Sequence, residues 1–303
     1  MSTEITDPEV LEFIARTESA YGPDTVDCTI EEQRRIYERM YNLFRRPRGA
    51  GLTVSDETIA GPGGPLAQRR YVPDGAGPVT VVYFHGGGYI LGGLESHDDV
   101  CAEIALGSGC PVVSVDYRLC PEHLHPAPIE DCIAATRAAL TAGPVIVAGD
   151  SAGGNYAGVV AQVLRGADIR GQVLIYPSLG GVELGLESYT ECAEAPMLAT
   201  RDILYYRNIR TGGDPPMDDL TFYPLRATDF SGIPRCFISA AGVDPLRDDG
   251  VEYDRLLVGA GVEAYCVVEP QLPHGHLRAR HMSHRAAEAF NRIVEAIADF
   301  ASR

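Results

Sequence analysis

The chain has 303 residues, 45% of them hydrophobic and 22% charged, the balance of a globular protein that buries roughly three quarters of its unfolded surface, so disorder and fibrous architectures are excluded. Forty-two acids against 25 bases leave a formal net charge of −17, which repels polyanions and argues against nucleic-acid binding and docking on anionic membranes. All 25 bases are arginine, and the lack of lysine rules out a lysine Schiff base, a P-loop lysine and the Ser-x-x-Lys hydrolases.

No run of apolar residues is long enough to predict a transmembrane helix, and Met1 to Leu11 carry acids rather than a basic stretch followed by an apolar one, so no secretory signal is expected. Eight cysteines are dispersed without a Cys-x-x-Cys pair, and Cys236 and Cys266 lie in apolar runs. They read as free buried thiols in a reducing cytoplasm, not as a disulfide framework.

Residues 9–16 and 30–44 read as helices, with apolar side chains three and four apart (Ile30, Ile36, Tyr37, Met40, Leu43, Phe44). Residues 24–29 offer capping side chains, Asp24 and Thr29 among them, and Pro47 to Gly51 end the segment. The periodicity then changes to two strands, 53–59 and 66–72, separated by a Gly- and Pro-rich turn. Short apolar runs follow at 79–84, 111–115, 145–148, 172–176, 235–241 and 263–268. Helical stretches lie between most of them, at 98–108, 128–142, 154–164 and 248–259, and 283–300 closes the chain as an amphipathic helix. Continuous apolar strands alternating with helices predict an α/β fold, an eight-stranded, mostly parallel sheet covered on both faces. Nearly sixty residues between Tyr176 and Arg235 contain no strand, only a helix near 200–210. That interval is too long for a simple connection and reads as an inserted cap.

Strand 145–148 runs into Gly149-Asp150-Ser151-Ala152-Gly153-Gly154, with a helix beyond. This is G-x-S-x-G at a sharp strand-to-helix turn, which lifts a serine hydroxyl clear of the sheet and makes Ser151 the candidate nucleophile. Upstream, strand 79–84 ends in His85-Gly86-Gly87-Gly88-Tyr89. The bare amides of Gly87 and Gly88, with that of Ala152, are placed to hold an oxyanion. A phosphate cradle would call for basic residues nearby, and none follow. His85 is expected to shape the loop through backbone carbonyls.

A serine nucleophile requires a base and a carboxylate that orients it. The loop after strand 235–241 carries Asp244 and Asp248; the loop after strand 263–268 carries His274 and His276. Asp244 is preferred because it lies nearer the strand end, and Asp248 sits where a helix N-cap belongs. His274 follows its strand directly, with His276 in reserve. His281 and His284, three apart, invite a metal reading, but no carboxylate or cysteine stands beside them at ligand spacing. As the base must be neutral, kcat/KM is expected to rise with pH through about 6–7.

His85-Gly86-Gly87-Gly88, Asp116-Tyr117-Arg118-Leu119-Cys120-Pro121-Glu122-His123, the Ser151 turn through Asn155, Asp244-Pro245-Leu246-Arg247-Asp248 and His274-Gly275 arrive in an order that resembles the hormone-sensitive-lipase-like (bacterial family IV) esterases of the α/β-hydrolase superfamily. The likeness runs from about Gly51 to the C-terminus. It implies an α/β-hydrolase domain over 51–303 with a helical cap built from residues 1–50 and an insertion at about 180–221. It also implies ester hydrolysis through an acyl-serine, no metal or organic cofactor, and a homodimer through the last strand. Asp116, Arg118 and Glu122 are assigned to an ion-pair scaffold behind the oxyanion loop, where Cys120 replaces the family's usual alanine. Asp150, Tyr89 and His276 are expected to line the substrate; His276 stands where the family usually has phenylalanine. Tyr189, Tyr205 and Tyr206 are candidates to cover the acyl group.

The leading expectation is a cytoplasmic serine carboxylesterase acting on small short-chain esters. A dedicated deacetylase of an acetylated metabolite or drug-like ester is the alternative. A non-catalytic receptor on the same fold is disfavoured because Asp244 and His274 are both present, and an interfacial lipase because no amphipathic anchor is evident.

Overall fold

A computed structural model describes residues 4–22 and 25–303; Asp24 and the first three positions of the N-terminal segment lie outside them. Eight strands form one sheet in the order β1-β2-β4-β3-β5-β6-β7-β8. They are β1 (Leu52–Gly61), β2 (Gly64–Pro73), β3 (Thr80–Phe84), β4 (Val112–Val115), β5 (Val145–Asp150), β6 (Ile169–Ile175), β7 (Cys236–Val243) and β8 (Ala264–Pro273). β1, β2 and β4 pair antiparallel, and every other neighbouring pair is parallel. The apolar runs become the central strands because both of their faces are covered. All residues of β3, β4, β5 and β7 are buried.

Side chains alternate between two layers. Val81, Tyr83, Ile146 and Ala148 face one way, against α3 (Asp98–Ser108) and α9 (His284–Ser302). Val82, Phe84 and Val147 face the other, against α4 (Ala127–Leu140), α5 (Ala152–Val163) and α8 (Arg247–Gly259). α9 buries Ala286, Ala289, Phe290, Ile293, Ala296, Ile297 and Phe300, three and four apart. Truncating one of its large members, such as Ile293→Ala, would cost about 2–5 kcal/mol.

α1 (Pro8–Glu18) and α2 (Ile30–Phe44) precede the sheet. Asp7 caps α1, and Thr29 caps α2 by accepting from the Glu32 amide. Gln271, at φ +63° near the end of β8, accepts the amides of Thr6 and Asp7 at 2.9 and 2.8 Å. Arg285 holds Asp7 at 2.7 Å, so the start of α1 is clamped to β8 and α9. Between β6 and β7 lie the short α6 (Ser188–Glu191) and α7 (Thr200–Thr211). No helix among the described residues is long and apolar enough to cross a membrane.

One local expectation is overturned. α8 begins at Arg247 with Leu246 at its N-cap, so Asp248 is not the cap. Asp244 closes that turn by accepting the Leu246 amide at 2.9 Å, and the helix starts one residue early. Asp248 instead accepts the Ser188 amide and pairs with Arg247, tying α6 to α8.

Candidate active site

Ser151 is the single residue between β5 and α5, held at φ 54°, ψ −117°, a conformation that side chains adopt only when the surroundings force it. Its amide donates to Ile175 O at 2.9 Å. The flanking glycines are obligatory: a Cβ on Gly153 would strike the Phe84 carbonyl, and one on Gly149 the carbonyl of Gly153. Ser151 lies in a cleft of about 700 Å³.

Two other strand ends deliver their side chains to it. His274 follows β8 directly, and its Nε2 is 2.9 Å from Ser151 Oγ. Asp244 follows β7, is fully buried, and its Oδ2 is 2.7 Å from His274 Nδ1. With Oδ1 taken by the Leu246 amide, Oδ2 fixes the ring by accepting from Nδ1–H, which leaves Nε2 to accept the serine proton. Gly87, Gly88 and Ala152 line the same cleft. Among the described residues none of their three amides has an acceptor, so the donors point at space a ligand can occupy.

Asp150 lines the cleft but is tied up within the protein. Its carboxylate accepts from Tyr83 Oη at 2.8 Å and the Gly86 amide at 2.9 Å, with His97 Nε2 at 3.2 Å. Burial would raise its pKa; the His97 charge and the bonds from His97 and Tyr83 outweigh that and hold it well below the usual carboxylate range. It braces the loop of Gly86 and Gly87 against the end of β5. His85 is sealed, its Nδ1 2.9 Å from Gly86 O. Burial, with the His97 charge second, lowers its pKa to about 4.

Tyr89 lines the cleft, as does Tyr206. Tyr189 is buried on Asp249 and the half-buried Tyr205 accepts from Gln33, and neither of those two lines the cleft. His276 corrects the expectation made for it. It is fully buried, lies outside the cleft lining, places Nδ1 3.1 Å from Pro273 O, and meets Tyr176 edge to face at 4.9 Å. The tight turn after Gly275 rotates it behind Tyr176, and burial pushes its pKa down to about 4.

The scaffold behind the loop also differs from expectation. Arg118 pairs with Asp131 and Glu122 with Arg34 of α2, both at 2.7 Å. Asp116 makes no ion pair among the described residues, and burial raises its pKa. His281 meets Glu103 at 3.0 Å, and the described residues contain no His, Cys, Asp or Glu cluster that could hold a metal ion.

Three residues carry no motif and were not singled out in the sequence. Asp249 accepts the Leu179 and Gly180 amides and the Tyr189 hydroxyl, anchoring the root of the insertion. Burial pushes it up to about 7 although all three bonds lower it. Arg210 and Arg278 line the cleft. The one available signal was the position of Arg278, four residues past His274 on the same loop.

Residues 81–278 match the family model described as the alpha/beta hydrolase fold. The chain is 40% identical to esterase LipI of Mycobacterium tuberculosis, over 90% of this chain and 89% of that protein. It is 31% identical to ethyl acetate hydrolase of Pseudomonas putida, over 88% and 89%. Among solved structures it superposes on an esterase of Pyrobaculum calidifontis with a TM-score of 0.85 at 32% identity, over 95% of this chain and 98% of that one.

Proposed function

This chain belongs to the α/β-hydrolase fold family, as a serine carboxylic ester hydrolase, and we propose that it cleaves short-chain esters of small molecules through an acyl-Ser151 intermediate. The observation that carries the residue roles is the pair of contacts on one ring: His274 reaches Ser151 at 2.9 Å and Asp244 at 2.7 Å. The motif order supports the finer placement among the hormone-sensitive-lipase-like esterases.

Ser151 Oγ attacks the ester carbonyl while His274 Nε2 takes its proton. The amides of Gly87, Gly88 and Ala152 hold the oxyanion, each such donor being worth about 3–4 kcal/mol of barrier. His274 then hands the proton to the leaving alcohol, and water repeats the sequence to release the acid. The residues of the cleft rim from α1, α2 and the 180–221 insertion form the cap. Short acyl chains are favoured because the relatives include an ethyl acetate hydrolase and an acetyl esterase of Salmonella typhi. A cytoplasmic location fits the unbridged thiols of Cys101, Cys110, Cys120, Cys132, Cys192, Cys236 and Cys266, and pairing through edge strand β8 would give a homodimer.

The test compares wild type with Ser151→Ala on p-nitrophenyl esters of two to twelve acyl carbons. The expected outcome is turnover that peaks at short chains and falls by several orders of magnitude in the variant. No turnover of any ester, with Ser151 unlabelled by an organophosphate, would sink the reading.

A further inference from the structure

Among the described residues four arginines line the cleft: Arg201, Arg207, Arg210 and Arg278. Arg201 pairs with Glu194, and Arg207 with Glu183. The other two have no carboxylate within ion-pair distance, in a chain whose acids outnumber its bases 42 to 25. Arg210 is committed to the protein. It is fully buried, stacked at 4.2 Å on Tyr89 and 4.0 Å on Phe222, and bonded to Phe222 O and Asn155 Oδ1.

Arg278 is not so committed. It is half-buried, and its protein partners are neutral: Ser96 O at 3.0 Å and Tyr37 Oη at 2.9 Å, with the Tyr37 ring beneath it at 5.4 Å. A guanidinium has five N–H donors, and these bonds use two. The acids that feel its charge, Asp150 and Asp99, are already occupied, Asp150 by His97, Tyr83 and the Gly86 amide, Asp99 by Arg280 at 2.6 Å. Glu18, on the exposed rim, is not within ion-pair distance of it. A guanidinium held on the cleft wall with donors unused and no carboxylate within ion-pair distance is equipped to receive one from a ligand.

Its position also says which half of the ester carries that carboxylate. His274, Gly275, Leu277 and Arg278 form one stretch of cleft wall, and His274 is the group that protonates the departing alkoxide. The 3-10 turn His276–Ala279 begins two residues past His274 and advances only about 2 Å per residue, so Arg278 stays close to the base along the chain. Resting on the esterase reading above, we propose that the cleft is built for esters whose alcohol portion bears a carboxylate a few carbons from the ester oxygen, held by Arg278. Water adds across the acyl–oxygen bond as before, giving the acid and a hydroxycarboxylate.

The probes are 4-acetoxybutanoate and its neutral isostere 4-acetoxybutanamide, with p-nitrophenyl acetate as a reference. Wild type is expected to show a kcat/KM at least tenfold higher for the anion. Arg278→Met should shrink that anion-to-amide ratio tenfold or more, chiefly through KM, and Arg278→Lys should keep part of it. A wild-type ratio near one overturns the proposal. So does an equal fall for both esters in Arg278→Met, which would mark a brace for the turn; should that variant not fold, a lysine variant with no anion preference does the same. If wild type turns over p-nitrophenyl acetate but not the anion, only this inference fails; if it turns over none of the three, the esterase reading fails with it.

Discussion

On one side of the cleft Ser151, Asp244 and His274 each stand one residue beyond a strand end, after β5, β7 and β8, and backbone bonds set their directions. On the other side α7 buries only Arg210 of its twelve residues, and Tyr206 from α7 and Met40 from α2 reach the cleft as side chains. The first side is fixed by the sheet, whose register cannot slip without turning every strand inside out. The second is fixed by side-chain packing between helices and offers the groups a substrate would touch. Apart from Arg278, which shares the loop of His274, the residues that shape the cleft therefore sit on a part of the chain separable from the chemistry.

The largest effect should come from the strand side. Asp244→Asn keeps the bond to the Leu246 amide but presents an N–H to His274 Nδ1 and enforces the wrong tautomer. Steady-state kinetics should show a fall of about 10⁴ in kcat with little change in melting temperature. Where the two sides meet, Gly88→Ala would place a Cβ 2.6 Å from the Tyr206 ring at a φ of +58°. An activity loss of about 10²-fold is expected. Adding Tyr206→Ala should restore part of it if the helical side can yield independently; no rescue would mean that the two sides are one rigid unit.

A smaller effect concerns acid stability. His85 and His276 have folded pKa values of about 4, lowered mainly by burial from the ordinary 6.5. Between those values the unfolded chain takes up protons that the folded chain does not. Stability is thus complete above about 6.5 and is lost as pH falls toward 4. His276→Phe should flatten the dependence of melting temperature on pH over that window. At neutral pH it should shift stability by about 1 kcal/mol or less, one bond to Pro273 O exchanged for the removal of a buried nitrogen without a partner. Smallest of all, Arg201→Ala removes an exposed ion pair with Glu194, and denaturant titration should register no more than about 0.5 kcal/mol.

What the sequence made legible follows the same division. Ser151 announces itself because a strand, G-x-S-x-G and a helix coincide, and Asp244 and His274 because a parallel sheet delivers strand ends to one edge. Six of the strands were readable as apolar runs, β3, β4, β5 and β7 because both of their faces are covered, and β1 and β2 by their two-residue periodicity. His276 was misread because its direction depends on one turn at Gly275, which local pattern does not encode. Asp248 was misread because Asp244 took the turn-closing bond first. Arg210 and Asp249 were invisible and Arg278 was marked only by its nearness to His274, since their meaning lies in partners far along the chain: Tyr89, Leu179 and Tyr37.

The Gln271 side chain, accepting the amides of Thr6 and Asp7 at 2.9 and 2.8 Å, sits three residues before His274. Those two amides are thereby shielded only as long as the end of β8 keeps its shape. Their deuterium uptake would act as a remote gauge of the loop that carries the base, readable without substrate, and any ligand that stiffens that loop should slow it.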